Sequence, residues 1–321
     1  MKRASRLLLI MVLLAGGRLL AATDKPPLIP EATVANVAYG PDAKQTLDFW
    51  RADAAAPTPV VVFVHGGGLT AGDKAEARRD PTVKACLDAG VSVASINYRY
   101  LAPGVTVLDV LHDAARAVQL LRSKADEWRI DGTRVAAFGE SAGGSLSLWL
   151  AFHGDLANPA SPDPVSRQST RLTCAGAKAP QCSFDPLRWE SEFGVEAVER
   201  LGGMYKSPAH FGFATREALH APEAAAVRAE GDFVGLITPD DPPVFIDVPG
   251  RGLKLETLGQ LLHHPRHALL LHVRCRDLGV ADVANIPAYA VAPNAQDPAT
   301  LREFLFRHLA VKIPAEAGSA R

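Results

Sequence analysis

Apolar and polar residues alternate with period two over residues 32–39 and again over 45–51. That period puts one face against a core and the other in water, so the two runs predict an antiparallel hairpin at a sheet edge. Residues 59–64 break the alternation with a near-continuous β-branched run, the pattern of a strand buried on both faces, and are expected in the middle of a sheet. Beyond them helical and strand periods alternate: helices at about 80–89, 108–121 and 142–152, strands at 91–97 and 134–138. Repeated strand-helix-strand units imply an α/β architecture, a mostly parallel sheet with helices on both faces.

Between about 154 and 241 the regularity lapses into Pro-rich and Ala-rich stretches, read as one short strand at 172–175 and an inserted cap. The cap aromatics Trp189, Phe193, Tyr205, Phe211 and Phe213 read as the core of that subdomain, or as an acyl or sugar pocket. The sheet resumes at 243–248, followed by a helix at 265–278, a weak strand at 281–286 and an amphipathic helix at 298–309. The reading is one domain, 23–313, with a Pro-rich linker at 25–30 and a small, polar, flexible tail at 314–321.

The first residues have a different organisation. Lys2, Arg3 and Arg6 precede an apolar run from Leu7 to Leu14, and the small pair Ala21-Ala22 precedes Thr23 and Asp24. This is the three-part layout of a secretory signal, residues 1–22, and it predicts a periplasmic or secreted protein. A membrane anchor is the alternative, but the run is about half of the roughly 20 apolar residues that span a bilayer. No stable membrane insertion is expected after cleavage.

With 34 basic and 35 acidic residues among 321, the chain lacks the electrostatic footprint of a nucleic-acid partner. A small, roughly neutral substrate suits it better. Export permits disulfides, and Cys174 and Cys182 are spaced to close a small covalent loop. Cys86 and Cys275 read as buried free thiols on helix faces. No Cys-x-x-Cys pair appears, and neither metal nor cofactor is expected.

The sharpest chemical signal is Gly139-Glu140-Ser141-Ala142-Gly143-Gly144 between a predicted strand and a predicted helix. Such a sharp turn thrusts the serine hydroxyl out of the sheet edge, and its glycines are required where side chains would strike neighbouring backbone. Upstream, His65-Gly66-Gly67-Gly68 follows the central strand directly. The amides of Gly67 and Gly68, with that of Ala142, would offer donors to a tetrahedral oxyanion. The other reading of the glycine run is a phosphate-cradling loop, but no Gly-Lys-Ser or Gly-Lys-Thr follows.

These motifs occur in order with Ile96-Asn97-Tyr98-Arg99-Tyr100, Asp113-Ala114-Ala115-Arg116-Ala117 and Ile130-Asp131-Gly132-Thr133-Arg134-Val135. Together they resemble the bacterial α/β-hydrolase-fold esterases of the hormone-sensitive-lipase-like and feruloyl-esterase-like (BD-FAE) group, closely over about residues 34–152. The resemblance implies Ser141 as nucleophile, Gly67, Gly68 and Ala142 as oxyanion hole, and no cofactor. It also implies an acid after the strand at 243–248 and a histidine after the strand at 281–286. The chain has Val248-Pro249-Gly250-Arg251-Gly252 and Pro287-Ala288-Tyr289-Ala290-Val291 there, with neither residue.

The late histidines are His263-His264-Pro265-Arg266-His267. From this cluster His264 is the candidate base, reaching Ser141 from an unusual direction, with Asp247 as the candidate acid that orients it. Against this, a histidine just before Pro265 suits a helix cap, and Asp247 suits a structural acceptor role. His112 and His272 read as solvated helix positions, His153 as a helix-end charge, and His210 and His220 as cap surface. The expected function is an exported carboxylic-ester hydrolase working through an acyl-serine on small-molecule or carbohydrate esters. The alternative is a hydrolase-fold binding protein with an incomplete triad. A serine peptidase fits less well, because the chain has no room for a large appended domain.

Overall fold

A computed structural model describes residues 26–203 and 207–311. The signal-like segment 1–22, Tyr205 and the tail 314–321 lie outside those residues. Eight strands form one sheet: β1 (Val34–Ala38), β2 (Thr46–Trp50), β3 (Thr58–Val64), β4 (Ser92–Ile96), β5 (Ile130–Glu140), β6 (Cys174–Lys178), β7 (Val244–Asp247) and β8 (Asp282–Asn285). Their order is β1-β2-β4-β3-β5-β6-β7-β8. The edge hairpin pairs antiparallel, β2 joins β4 antiparallel, and all later pairings are parallel. Every residue of β3 is buried, as its β-branched run demands. The carboxyl ends of β3, β5, β6, β7 and β8 therefore share one edge, where open α/β sheets place ligands.

Two apolar layers sandwich this sheet. One gathers Val62, Ala137, Leu146, Trp149, Phe184, Trp189 and Phe233 under helices Val107–Ser123, Ala142–Phe152 and Pro265–Leu278. The other joins Val61, Phe138, Phe245, Phe304 and Phe306 under helices Pro81–Asp88 and Leu301–His308. The helices start where local chemistry allows. Asp80 accepts from the amides of Thr82 and Val83 ahead of Pro81, and Thr106 and Asp109 form a reciprocal capping box.

The structure revises the sequence reading in three places. Residues 26–30 dock on the domain rather than linking to it. Ile29 is buried, the Leu28 amide donates to the Arg78 carbonyl at 2.7 Å, and Trp50 Nε1 donates to the Pro30 carbonyl at 3.0 Å. The strand expected at 172–175 is β6, two residues later and fully inside the sheet. Its Cys-Ala-Gly-Ala-Lys sequence carries no β-branched signal because small residues are needed: a methyl on Gly176 would strike Leu301 Cδ1, and one on Gly144 would meet Ala177 Cβ at 3.2 Å. Because β6 sits between them, the 154–241 excursion is two separate pieces. Arg116, Gln119 and Arg122 hold the first against helix Val107–Ser123, and the second is helical and packs Trp189, Phe211 and Phe233 into the main core.

The third revision concerns the cysteines. All four are buried free thiols. Cys174 belongs to one apolar layer and Cys182 to the other, so the sheet separates them and the covalent loop is not formed. Cys86 and Cys275 are buried as expected.

Candidate active site

The strand-to-helix turn after β5 holds Ser141 at φ 56°, ψ −124°, a conformation that side chains avoid and that costs on the order of 1–3 kcal/mol. Packing enforces it. A methyl on Gly139 or Gly143 would run into the Val64 carbonyl at the end of β3, so only glycine lets the elbow close against the central strand. The Ser141 amide donates to the Lys178 carbonyl at 2.9 Å, continuing the β5–β6 ladder to the turn itself. Ala142 opens the following helix, where the first amides have no intrahelical acceptor.

The glycine loop after β3 lies against this turn, since a Cβ on Gly66 would be 3.7 Å from Ser141 Cβ. Gly67 and Gly68 have φ of 105° and 62°, open only to glycine at such angles without strain. The loop is braced from below. His65 is fully buried, its Nδ1–H donates to the Gly66 carbonyl at 2.7 Å, and its ring stacks on Tyr98 at 4.3 Å. Tyr98 donates its hydroxyl to the His65 carbonyl at 2.8 Å, and Tyr100 donates to that of Gly72. Burial depresses the His65 pKa, so it stays neutral. Lys74 ties the far end of the loop to β2 through Asp48 at 2.8 Å.

The remaining motif residues are scaffold. Arg99 makes a forked contact to the buried Asp113, Nη2 to Oδ1 at 2.7 Å and Nε to Oδ2 at 2.9 Å, and Gln45 donates to the same carboxylate at 2.7 Å. Arg134 closes the turn at Asp131 at 2.7 Å.

From the histidine cluster it is His263 that faces the serine, with Nε2 3.4 Å from Ser141 Oγ. Its Nδ1–H donates to the Ala179 carbonyl at 3.0 Å. A carbonyl only accepts, so the proton resides on Nδ1 and the Nε2 lone pair points at the serine hydroxyl. Burial lowers the His263 pKa, the Ala179 carbonyl opposes this in part, Arg251 lowers it further and Glu140 raises it. Ala179 has φ 45°, a left-handed angle uncommon for a residue with a side chain, directly after β6. Behind it, the buried Gln181 exchanges hydrogen bonds with Ser145 at 2.9 Å and donates to the Leu262 carbonyl at 2.7 Å. One amide side chain thus couples the elbow helix to the residue preceding His263.

His264, the candidate base from sequence, is turned away. Its Nδ1 accepts from the Arg266 amide at 3.1 Å as the cap of helix Pro265–Leu278, and its Nε2–H donates to the Leu253 carbonyl at 3.2 Å. With both nitrogens occupied, it has no lone pair for a hydroxyl proton. Asp247 is not beside any of these histidines either; it accepts from Asn285 Nδ2 at 2.8 Å between the ends of β7 and β8. His267 is fully buried, with its pKa pushed down to about 3 by desolvation, and faces Cys182 Sγ at 3.2 Å. His272 pairs with Asp282 at 2.6 Å, while His112 and His153 both meet Glu230, at 3.2 and 3.0 Å. Sequence reasoning missed Ala179 and Gln181. A backbone carbonyl has no residue signature, and a buried glutamine in a loop announces nothing.

Among the described residues, no group of three or more His, Cys, Asp or Glu side chains is placed to hold a metal ion, and no helix is long and apolar enough to cross a membrane.

Residues 47–172 match the BD-FAE family model. Carboxylesterase NlhH of Mycobacterium tuberculosis is 31% identical over 141 residues, 43% of each chain. Carboxylic ester hydrolase LipN of the same organism is 38% identical over 110 residues, 34% of this chain and 28% of that protein. The chain thus spans less than half the length of these curated relatives. An acetyl ester-xyloside bifunctional hydrolase from Caldicellulosiruptor lactoaceticus superposes with TM-score 0.58 at 20% identity, covering 83% of this chain and 88% of that one. A truncated carbohydrate esterase from gut microbiota gives 0.60 at 16% identity, covering 87% and 97%. At these identities the superpositions speak for the fold. The serine elbow, the glycine loop and the strand order agree with them: this chain has the α/β-hydrolase fold and resembles the BD-FAE esterases over residues 47–172.

Proposed function

We propose that this protein hydrolyses carboxylic esters through an acyl-enzyme on Ser141, with His263 as the base. The observation that carries the reading is the line Ser141 Oγ, His263 Nε2, His263 Nδ1, Ala179 O, with spacings of 3.4 and 3.0 Å. Nε2 takes the hydroxyl proton as Oγ attacks the ester carbonyl, and the amides of Gly67, Gly68 and Ala142 receive the oxyanion. The imidazolium then protonates the departing alkoxide, and a water, deprotonated by the same nitrogen, releases the acid. The 3.4 Å contact is within reach of a hydrogen bond that tightens when substrate binds.

The family's acid is replaced here by a backbone carbonyl. That carbonyl selects the tautomer and aims the ring, two of the tasks of a triad carboxylate. It supplies no full negative charge to the imidazolium, and hydrogen bonds to a charged acceptor are roughly twice as strong as those to a neutral one. The enzyme should therefore favour esters with good leaving groups. The same missing carboxylate motivates the second reading, a binding protein with a vestigial centre.

Acylated carbohydrates are the substrates we propose. The support is likeness of fold to a carbohydrate esterase and to an acetyl ester-xyloside hydrolase. We also propose export to the periplasm or beyond, supported by the charged, apolar and small-residue order of residues 1–22. Acetate release from acetylated xylo-oligosaccharides by the purified chain, with Ser141→Ala as control, tests the chemistry. Release that persists in Ser141→Ala refutes it, and no turnover of any ester by the parent supports the binding protein. The N-terminal residue of protein recovered from the expressing cells tests export; an intact Met1 refutes it.

A further inference from the structure

Next to His263 a cavity of about 330 Å³ is lined by Arg251, Lys254, Thr257, Gln260 and His263 itself, with no glycine-loop residue in its wall. Its polar groups are almost all donors, and no carboxylate is among them. Gln260 commits Oε1 to the amides of Glu256 and Thr257, at 2.7 and 3.0 Å, which leaves its NH2 group to donate. Lys254 has Glu256 at 3.7 Å on its own loop. Arg251 has no carboxylate partner among the described residues, yet it is close enough to His263 to depress its pKa. An unpaired guanidinium beside a general base is costly to that base, since it opposes formation of the imidazolium; a bound anion would relieve it.

The position of the cavity says which part of a substrate it would meet. In serine ester hydrolysis the base that accepts the hydroxyl proton next delivers it to the departing oxygen, so the alcohol portion lies on the base's side and the carbonyl oxygen on the oxyanion donors' side. A cavity walled by His263 is therefore on the alcohol side. We propose that Arg251, supported by Lys254 and Gln260, recognises a carboxylate on the alcohol half of the ester, so that the preferred substrates are acyl esters of hydroxy acids, acidic sugars included. This rests on the Ser141–His263 reading. The bound carboxylate serves a second purpose, because it neutralises Arg251 while His263 is protonated.

The test compares 4-acetoxybenzoate with its neutral counterpart 4-acetoxybenzamide, at a pH where His263 is neutral. The expected ratio of kcat/KM, acid over amide, is about five to ten in the parent, the span of one solvent-reachable charge pair strengthened by a charge-assisted hydrogen bond. It should fall to about one in Arg251→Ala and invert in Arg251→Glu. A ratio that is the same in all three proteins overturns the proposal. The product side provides an arm that needs no catalysis: 4-hydroxybenzoate should bind Ser141→Ala more tightly than 4-hydroxybenzamide by NMR titration, and lose that advantage in the Ser141→Ala, Arg251→Glu double variant. Equal binding of the two phenols overturns the proposal whatever the turnover. Tight binding of the anion with no ester turnover in the parent leaves the anion site standing and removes the hydrolase reading.

Discussion

Replacing the adjacent histidines one at a time separates a catalytic role from a structural one. His263→Ala removes the acceptor 3.4 Å from Ser141 Oγ while leaving the helix cap intact. Positioned general bases contribute about 10²–10⁴ in rate. With a neutral carbonyl behind the ring rather than a carboxylate, the lower half of that span applies, about 10²–10³, or roughly 3–4 kcal/mol at 1.36 kcal/mol per tenfold. Stability should change little, because His263 is half-buried and, besides Ser141, its ring meets the Ala179 carbonyl. His264→Ala does the reverse. It deletes a cap and the bond to Leu253, costing about 1 kcal/mol, which for a domain of this size moves Tm by roughly 2–4 °C. Its kcat should stay close to the parent's, because no group near the reacting atoms is removed. Hydrolysis of 4-nitrophenyl acetate at 25 °C and thermal unfolding by circular dichroism measure both quantities on the same preparations. Loss of turnover in His264→Ala at unchanged Tm, with His263→Ala still active, would refute the assignment of the base.

The acid limb of kcat/KM should lie below the ordinary imidazole pKa of about 6.5, because burial, and then Arg251, hold His263 down, and the base works only while neutral. Activity is thus present above that pKa and lost as pH falls through it, and Arg251→Glu should move the limb to higher pH; a limb that stays put argues against Arg251 as its neighbour. Ser141→Gly should abolish turnover yet raise stability by on the order of 1 kcal/mol over Ser141→Ala in urea unfolding, since glycine tolerates φ 56°; equal stabilities would mean that the elbow stores no strain. Asp113→Ala should destabilise by about 1–3 kcal/mol, because it removes the buried acceptor shared by Arg99 and Gln45 while Asp109 still meets Arg99 at 3.3 Å, as a urea midpoint would report.

Much of the molecule is legible from local pattern. The β-branched run of β3 declares its double-sided burial, the two alternating runs declare the edge hairpin, and Gly139 to Gly144 locate the elbow with Ser141, the proposed nucleophile, at its tip. Each of those is a relation between residues near in sequence, where steric rules act directly on the backbone. β6 is read two residues early, at 172–175 instead of 174–178, because its small residues answer to Leu301 and the elbow helix, partners that only folding brings near.

Choosing among His263, His264 and His267 lies beyond any local rule. The three occupy five consecutive positions, yet one faces Ser141, one caps a helix and one is buried against Cys182. Their roles follow from the direction each side chain takes as the chain enters helix Pro265–Leu278, and from a carbonyl 84 residues upstream whose angle is set by the end of β6. The sequence by itself determined the sheet, the elbow and the absence of the family's acid and histidine from their usual loops, since all three are matters of residue type and spacing. Tertiary structure alone decided which histidine faces Ser141, its tautomer and its backbone partner, because hydrogen-bond direction between distant segments exists only once they are packed together.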